Sequence, residues 1–146
     1  MTKSLIAEKK FFKEAQLLSP VAQYAKKRGF RLQLAEVPFY EYRIDLYGFS
    51  KSENATVAIE LKLRDWGRAL EQAMLYQLCS DFVYIAMPED AANRVEIAQL
   101  EKEGVGLIAV QNTGECQCIL SAQLHQEVRS FYRGHQIEYL RENARA

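Results

Sequence analysis

The chain has little of what several functional classes require. Its three cysteines, Cys79, Cys116 and Cys118, are odd in number and lack a disulfide-framework spacing, which fits a reducing compartment. Cys116 and Cys118 share one strand face, but no second pair completes a zinc site. His125 is the only other donor nearby, so both thiols read as small core or edge residues. His125 and His135 have no serine or cysteine partner, which leaves a hydrolytic triad unsupported. No apolar run approaches the ~20 residues needed to span a bilayer. Met1-Thr2-Lys3-Ser4 leads into a lysine-rich stretch, unlike the apolar region of a signal peptide. Neither a phosphate-cradling GxxxxGK nor a dinucleotide-binding GxGxxG occurs. Together these absences predict a cytoplasmic protein with no membrane segment.

A net charge of one sign is also missing: 19 Lys/Arg balance 19 Asp/Glu. Any nucleic-acid surface must therefore be local. The charges are unevenly placed, with eight Lys/Arg against two carboxylates in residues 1 to 31 and the reverse in residues 81 to 127. The first stretch, with Lys9, Lys10 and Lys13, is the one able to face phosphate, and Arg64 and Arg68 are further candidates. With 146 residues, 49% hydrophobic and 26% charged, the chain is expected to form one domain over 1–146 with a sizeable core.

Apolar spacing predicts a helix through Leu5, Phe11, Phe12 and Leu18, then a break at Ser19-Pro20, read as an N-cap followed by proline. A second helical run reaches Arg28, and Gly29 ends it. Phe30 to Val37 alternates as a strand, interrupted by Pro38. Tyr42 to Phe49 is a second strand, with Ile44 and Leu46 on one face and Arg43, Asp45 and Tyr47 on the other. The polar turn Ser50 to Asn54 predicts an antiparallel hairpin with a third strand, Thr56 to Leu63. Asp65 caps a helix running to about Ser80. Phe82 to Met87 and Val105 to Val110 read as buried strands separated by a helix from Asp90 to Glu103. Gly114 to Leu120 reads as an edge strand. A last helix capped by Ser121 carries an apolar stripe of Leu124, Val128 and Phe131, suited to a homodimer or larger assembly. The order α-β-β-β-α-β-α-β-β-α predicts an α/β fold, a mixed β-sheet flanked by helices.

The third strand carries the chemistry. Val57, Ile59, Leu61 and Leu63 alternate onto one face, which sends Glu60 and Lys62 together to the other. Asp45 lies on the neighbouring strand. Ionisable groups facing a helix-covered surface are expensive unless they are paired or bound to metal. Two carboxylates with room for water suit Mg²⁺ or Mn²⁺, held between Asp45 and Glu60 with the Leu61 carbonyl nearby. Lys62 would then stand beside a phosphate or its attacking water. Trp66, on the following helix, reads as packing.

The order strand-Asp45, Glu60-Leu61-Lys62, then a helix bearing Gln72-Ala73-Met74-Leu75-Tyr76 resembles the PD-(D/E)xK nuclease superfamily with the restriction-endonuclease-like fold. The helix motif is similar to the QxxxY element of its RecB-like branch. The resemblance spans about Glu14 to Val110, with Ile44 where the family name has proline. It implies an αβββαβ core, here with extra C-terminal strands and a helix. It further implies that Asp45 and Glu60 ligate a divalent metal, that Lys62 orients or activates the nucleophilic water, and that Glu14 supports the metal from the first helix. Gln72 and Tyr76, four apart on one helix face, would reach the site or the nucleic-acid backbone. The implied activity is metal-dependent hydrolysis of phosphodiester bonds, in DNA sooner than RNA, leaving 5′-phosphate and 3′-hydroxyl ends, alone or within a larger nucleic-acid-processing complex. A non-catalytic nucleic-acid-binding or assembly module that retains the fold is the alternative.

Overall fold

A computed structural model describes residues 11–144. Among the described residues six strands form one sheet in sequence order. They are β1 (Leu32–Phe39), β2 (Tyr42–Ser50), β3 (Ala55–Leu61), β4 (Phe82–Pro88), β5 (Gly106–Val110) and β6 (Cys116–Leu120). The first three pair antiparallel, β3 to β5 run parallel, and β6 returns antiparallel. The helices are α1 (Leu18–Lys27), α2 (Trp66–Tyr76), α3 (Glu89–Ala92), α4 (Ile97–Glu103) and α5 (Ser130–Asn143). The architecture is thus the expected mixed sheet flanked by helices. Among the described residues no helix is long and apolar enough to cross a membrane.

Strand alternation divides the core in two. Leu46, Val57, Ile59, Leu61, Ala86 and Ile108 meet Leu17, Val21 and Ala25, spaced by four so that one side of the α1 region is apolar. Tyr47, Ala58, Val83, Ile85 and Leu107 meet α2, Leu100 of α4, and Ile137 and Leu140 of α5. Gly29 closes α1 with φ +102, its N–H donating to Lys26 and that of Phe30 to Ala25. This is the glycine-terminated end expected from the sequence.

Several boundaries differ from expectation. A 3₁₀ turn, Glu14–Leu17, runs directly into α1, so Ser19 does not cap. Pro20 sits in the first turn, where its missing N–H has no intrahelical partner to lose. Of the expected helix from Leu5 through Phe11 and Phe12 to Leu18, residues 5–10 lie outside the described residues, residues 11–13 are not helical, and the 3₁₀ turn begins only at Glu14. Pro38 does not interrupt β1 because β1 is an edge strand, and Pro38 keeps register with Arg43. The expected helix from Asp90 to Glu103 is two short helices separated at 93–96, and α2 ends at Tyr76 rather than near Ser80. Beyond it the backbone tightens into three-residue bonds at Gln77, Leu78 and Cys79. The C-terminal helix starts at Ser130, not Ser121. Residues 121–129 instead form a non-helical segment with a turn at Gln126 and Glu127, tied down by main-chain bonds from Gln123 to Gly104, His125 to Asp81 and Arg129 to Leu78. Leu124 and Val128 therefore lie outside the helix, and the expected three-residue stripe does not form on it.

Ile44 and Leu46 also fail to share a face: Ile44 belongs to the α2–α5 core and Leu46 to the α1 core. The cause lies on β1, where Glu36 has φ +56 and the ladder skips the Glu36–Asp45 position. A left-handed residue within a strand bends it, so the hairpin tip turns toward α5. There Gln136 donates to the Pro38 carbonyl, and Phe39 meets Tyr132 edge-on.

A close approach at Gly106 packs the β4–β5 crossover. A Cβ there would stand 2.4 Å from the Tyr84 ring and 2.6 Å from the Ala122 backbone nitrogen, whereas one at Gly67, in the first turn of α2, meets nothing within 4 Å. Gly106→Ala is expected to cost about 1–3 kcal/mol in urea unfolding. Gly67→Ala is expected to stabilise by about 0.5–1 kcal/mol in the same measurement. Equal effects at the two positions would contradict the packing described.

Candidate active site

The site forms where two strands part. β2 and β3 pair from Ser50–Ala55 to Leu46–Ile59, and there the ladder stops. One more step of that register would place Asp45 opposite Glu60. Instead of a main-chain partner, the Leu61 N–H finds the Asp45 carboxylate, with Oδ2 at 2.8 Å. The Lys62 N–H donates to the Ala86 carbonyl at 3.0 Å, so β3 stays against β4 after β2 has turned away. Asp45 is half-buried, Glu60 is buried at 5% exposure, and Lys62 is half-buried.

Burial sets the electrostatics. It is the chief cause lifting Glu60 to about 8, the charge of Asp45 adds to it, and Lys62 and the Tyr76 hydroxyl oppose it. Asp45 is also raised, first by burial, against the lowering effect of the Leu61 N–H, with the charge of Glu14 raising it further. Tyr76 is fully buried, and its phenol is pushed up by burial and then by the charges of Glu60 and Asp45. Its hydroxyl donates to the Arg43 carbonyl at 3.4 Å. Among the described residues, two buried side-chain oxygens have no hydrogen-bond partner: Oε1 of Glu60 and Oε1 of Gln72. Both are acceptors.

The structure therefore brings Asp45, Glu60, Lys62 and Tyr76 together. Gln72 lies on α2 one turn before Tyr76, half-buried along an open groove of about 970 Å³ with Tyr42, Trp66 and Arg68. α2 is oriented for this by the Asp65 side chain, which caps the Arg68 N–H at 3.3 Å. Tyr76 is core as well as site. Glu14 is exposed on the 3₁₀ turn; its charge acts on both carboxylates. No group of three His, Cys, Asp or Glu gathers as a metal set among the described residues. Asp45 and Glu60 thus form a carboxylate pair and not a larger acidic cluster, and Leu61 contributes its N–H as a brace for Asp45.

Lys13, Arg64 and Arg68 are exposed, while Lys9 and Lys10 lie outside the described residues. Arg64 lines a separate groove of about 380 Å³ with Arg94 and Asn112. That convergence had no sequence signal, since Arg94 is an isolated cation in the acidic part of the chain. Nor did Tyr42 stand out, although it lines the same groove as Gln72. Trp66 packs against the core as expected. Cys116 contacts the Pro20 carbonyl and Cys118 the Ser121 hydroxyl, roles of an edge strand and not of a zinc site.

No protein-family model and no curated protein matches the sequence. Among solved structures, a protein of unknown function from Silicibacter pomeroyi, SPO1766, is similar. It has a TM-score of 0.69 and 20% identity over 91% of this chain and 87% of that one. This similarity shows a shared fold.

A carboxyl raised from 4.5 to about 8 holds its proton more tightly folded than unfolded. Metal-free stability contributed by Glu60 is therefore present at low pH and lost as pH rises between those values. In EDTA, Glu60→Gln is expected to melt above wild type at pH 8 and to differ much less at pH 4.5. The shift should be on the order of 2–4 °C for each kcal/mol relieved. Identical pH profiles of the two proteins in thermal melts would contradict the burial cost assigned to Glu60.

Proposed function

We propose that the protein is a metal-dependent nuclease that hydrolyses phosphodiester bonds, in DNA sooner than in RNA, with Mg²⁺ or Mn²⁺ held by Asp45 and Glu60. One observation carries this reading above the others: the unpartnered buried acceptors are Glu60 Oε1 and Gln72 Oε1, both members of the same constellation. A buried acceptor without a partner costs about 1–3 kcal/mol, and a cation or a bound donor would recover it. The donors are all oxygen, which suits Mg²⁺ or Mn²⁺ over zinc. Two carboxylates leave the remaining positions to water, carbonyl and substrate oxygens, as Mg²⁺ prefers.

When bound, the ion would supply Lewis-acid polarisation of the phosphoryl group and lower the pKa of water. The chain's own residues do the rest. Leu61 N–H fixes Asp45 in one orientation. Tyr76 is buried beside the carboxyls and donates to the Arg43 carbonyl, and the Lys62 ammonium, just past the end of β3, would offset charge developing on the phosphoryl oxygens. Gln72 can accept a hydrogen bond from the attacking water or from a base amine in the groove. Loading requires Glu60 to release its proton, so binding of the ion strengthens as pH rises.

The test is incubation of the pure protein with single-stranded, double-stranded and branched DNA, and with RNA, in Mg²⁺, Mn²⁺ or EDTA. Cleavage is expected with metal and not in EDTA. Asp45→Ala should abolish it, and Lys62→Ala should slow it by about 10²–10⁴-fold, with folding intact. Calorimetry should show weaker Mg²⁺ or Mn²⁺ binding at pH 5.5 than at pH 8. Unaltered substrate under every condition would sink the enzyme reading and leave a module that binds nucleic acid without cutting it.

A further inference from the structure

A second groove opens at the other end of β2. It has a volume of about 690 Å³, and its lining includes Arg31, Leu32, Phe49, Lys51, Ser52 and Arg141. Three separate parts of the chain contribute cations: the segment after α1, the β2–β3 turn and the last turns of α5. Among the described residues no carboxylate lines it. Arg31, Lys51 and Arg141 are all exposed. Among the described residues Arg31 and Lys51 form no ion pair. Arg141 reaches Glu138 at 3.8 Å with both side chains more than half exposed, a contact worth little in water. Its guanidinium lies over the Phe49 ring, 5.9 Å from the centroid.

Helix ends explain part of this charge. Lys26 and Lys27 in the last turn of α1 and Arg141 in that of α5 oppose the negative C-terminal dipoles. Arg31 and Lys51 belong to neither helix. In a protein with no net charge, three exposed cations around one groove, with no lining carboxylate among the described residues, make a local positive field suited to a polyanion. Phe49 is four residues from Asp45 along β2, at most about 14 Å at a strand's rise per residue. A strand seated at the carboxylates can reach the groove.

We propose that Arg31, Lys51 and Arg141 form a phosphate-binding exosite that grips the backbone of a nucleic-acid strand outside the active site. The proposal rests on the nuclease reading in taking that strand to be the substrate. Among the described residues Ser52 is the one neutral polar side chain lining the groove, so the groove positions the strand without reading its bases. It also makes affinity depend on length, because a strand too short to leave the carboxylates gains nothing from it.

The experiment is equilibrium binding of labelled DNA strands, one long and one of only a few nucleotides, in EDTA over a range of salt. It compares wild type, Arg31→Ala/Lys51→Ala/Arg141→Ala, Lys51→Glu alone and Lys102→Ala, an exposed lysine on α4. For the long strand the triple variant is expected to lose at least tenfold in affinity at low salt, with a salt slope shallower by about 2–3. Lys51→Glu, on an exposed turn, should move the same way if the triple variant fails to fold, and Lys102→Ala should match wild type. An unchanged slope, an equal loss on the short strand, no strand binding by wild type, or binding of anionic phospholipid vesicles in place of DNA would each overturn the exosite. Cleavage by wild type with an unchanged slope removes the exosite and leaves the nuclease. A reduced slope without cleavage in Mg²⁺ or Mn²⁺ does the opposite.

Discussion

The bond from the Leu61 N–H to the Asp45 carboxylate is the hinge on which the arrangement turns. An antiparallel pair that simply ended would leave that N–H without its ladder partner, and a carboxylate buried alone would face a full desolvation penalty. Each group solves the other's problem. β2 can therefore leave β3 one residue early while both remain in a packed sheet. Glu60 and Lys62 follow where that pairing has stopped, and the left-handed Glu36 stands across from the skipped Asp45 position.

The two ends of this part of the sheet contrast in how completely their polar groups are satisfied. At the N-terminal end of β3 and β4, Asp81 accepts from the Thr56 N–H at 2.9 Å, the Thr56 hydroxyl at 3.0 Å and Arg133 Nε at 2.9 Å. Arg133 in turn donates to the Asn54 carbonyl at 2.7 Å. That knot ties the β2–β3 turn to α5 and is built for structure. At the C-terminal end of β3 a buried carboxyl keeps an oxygen without a partner and bears the cost in its raised proton affinity. The contrast is between a half-buried carboxylate whose hydrogen bonds are met and a buried one left with an unpartnered oxygen.

Much of this was readable beforehand because it depends on short-range periodicity. The period of two in Thr56 to Leu63 assigns Glu60 and Lys62 to one face, and Gly29 and Asp65 mark helix ends by chemistry that acts within a turn. What failed depended on neighbours far along the chain. Pro38 looks like a break until β1 is known to be an edge. The segment after Ser121 looks helical until Asp81, Gly104 and Leu78 offer its N–H groups other partners. The expected pairing of Ile44 with Leu46 assumed a flat strand, and one positive φ on the opposite strand undid it. Arg31, Lys51 and Arg141 are unremarkable in sequence and meet only because three elements end at the same corner.

Alternation is a property of the extended backbone alone, so the residue pattern already assigned Glu60 and Lys62 to the face opposite Val57, Ile59 and Leu61. Only the tertiary structure decided that Asp45 would brace Leu61, that Tyr76 would be buried against the carboxyls, and that Glu60 and Gln72 would each keep an unpartnered oxygen. Burial, strand divergence and the proximity of charges are relations between segments, and no local pattern encodes them.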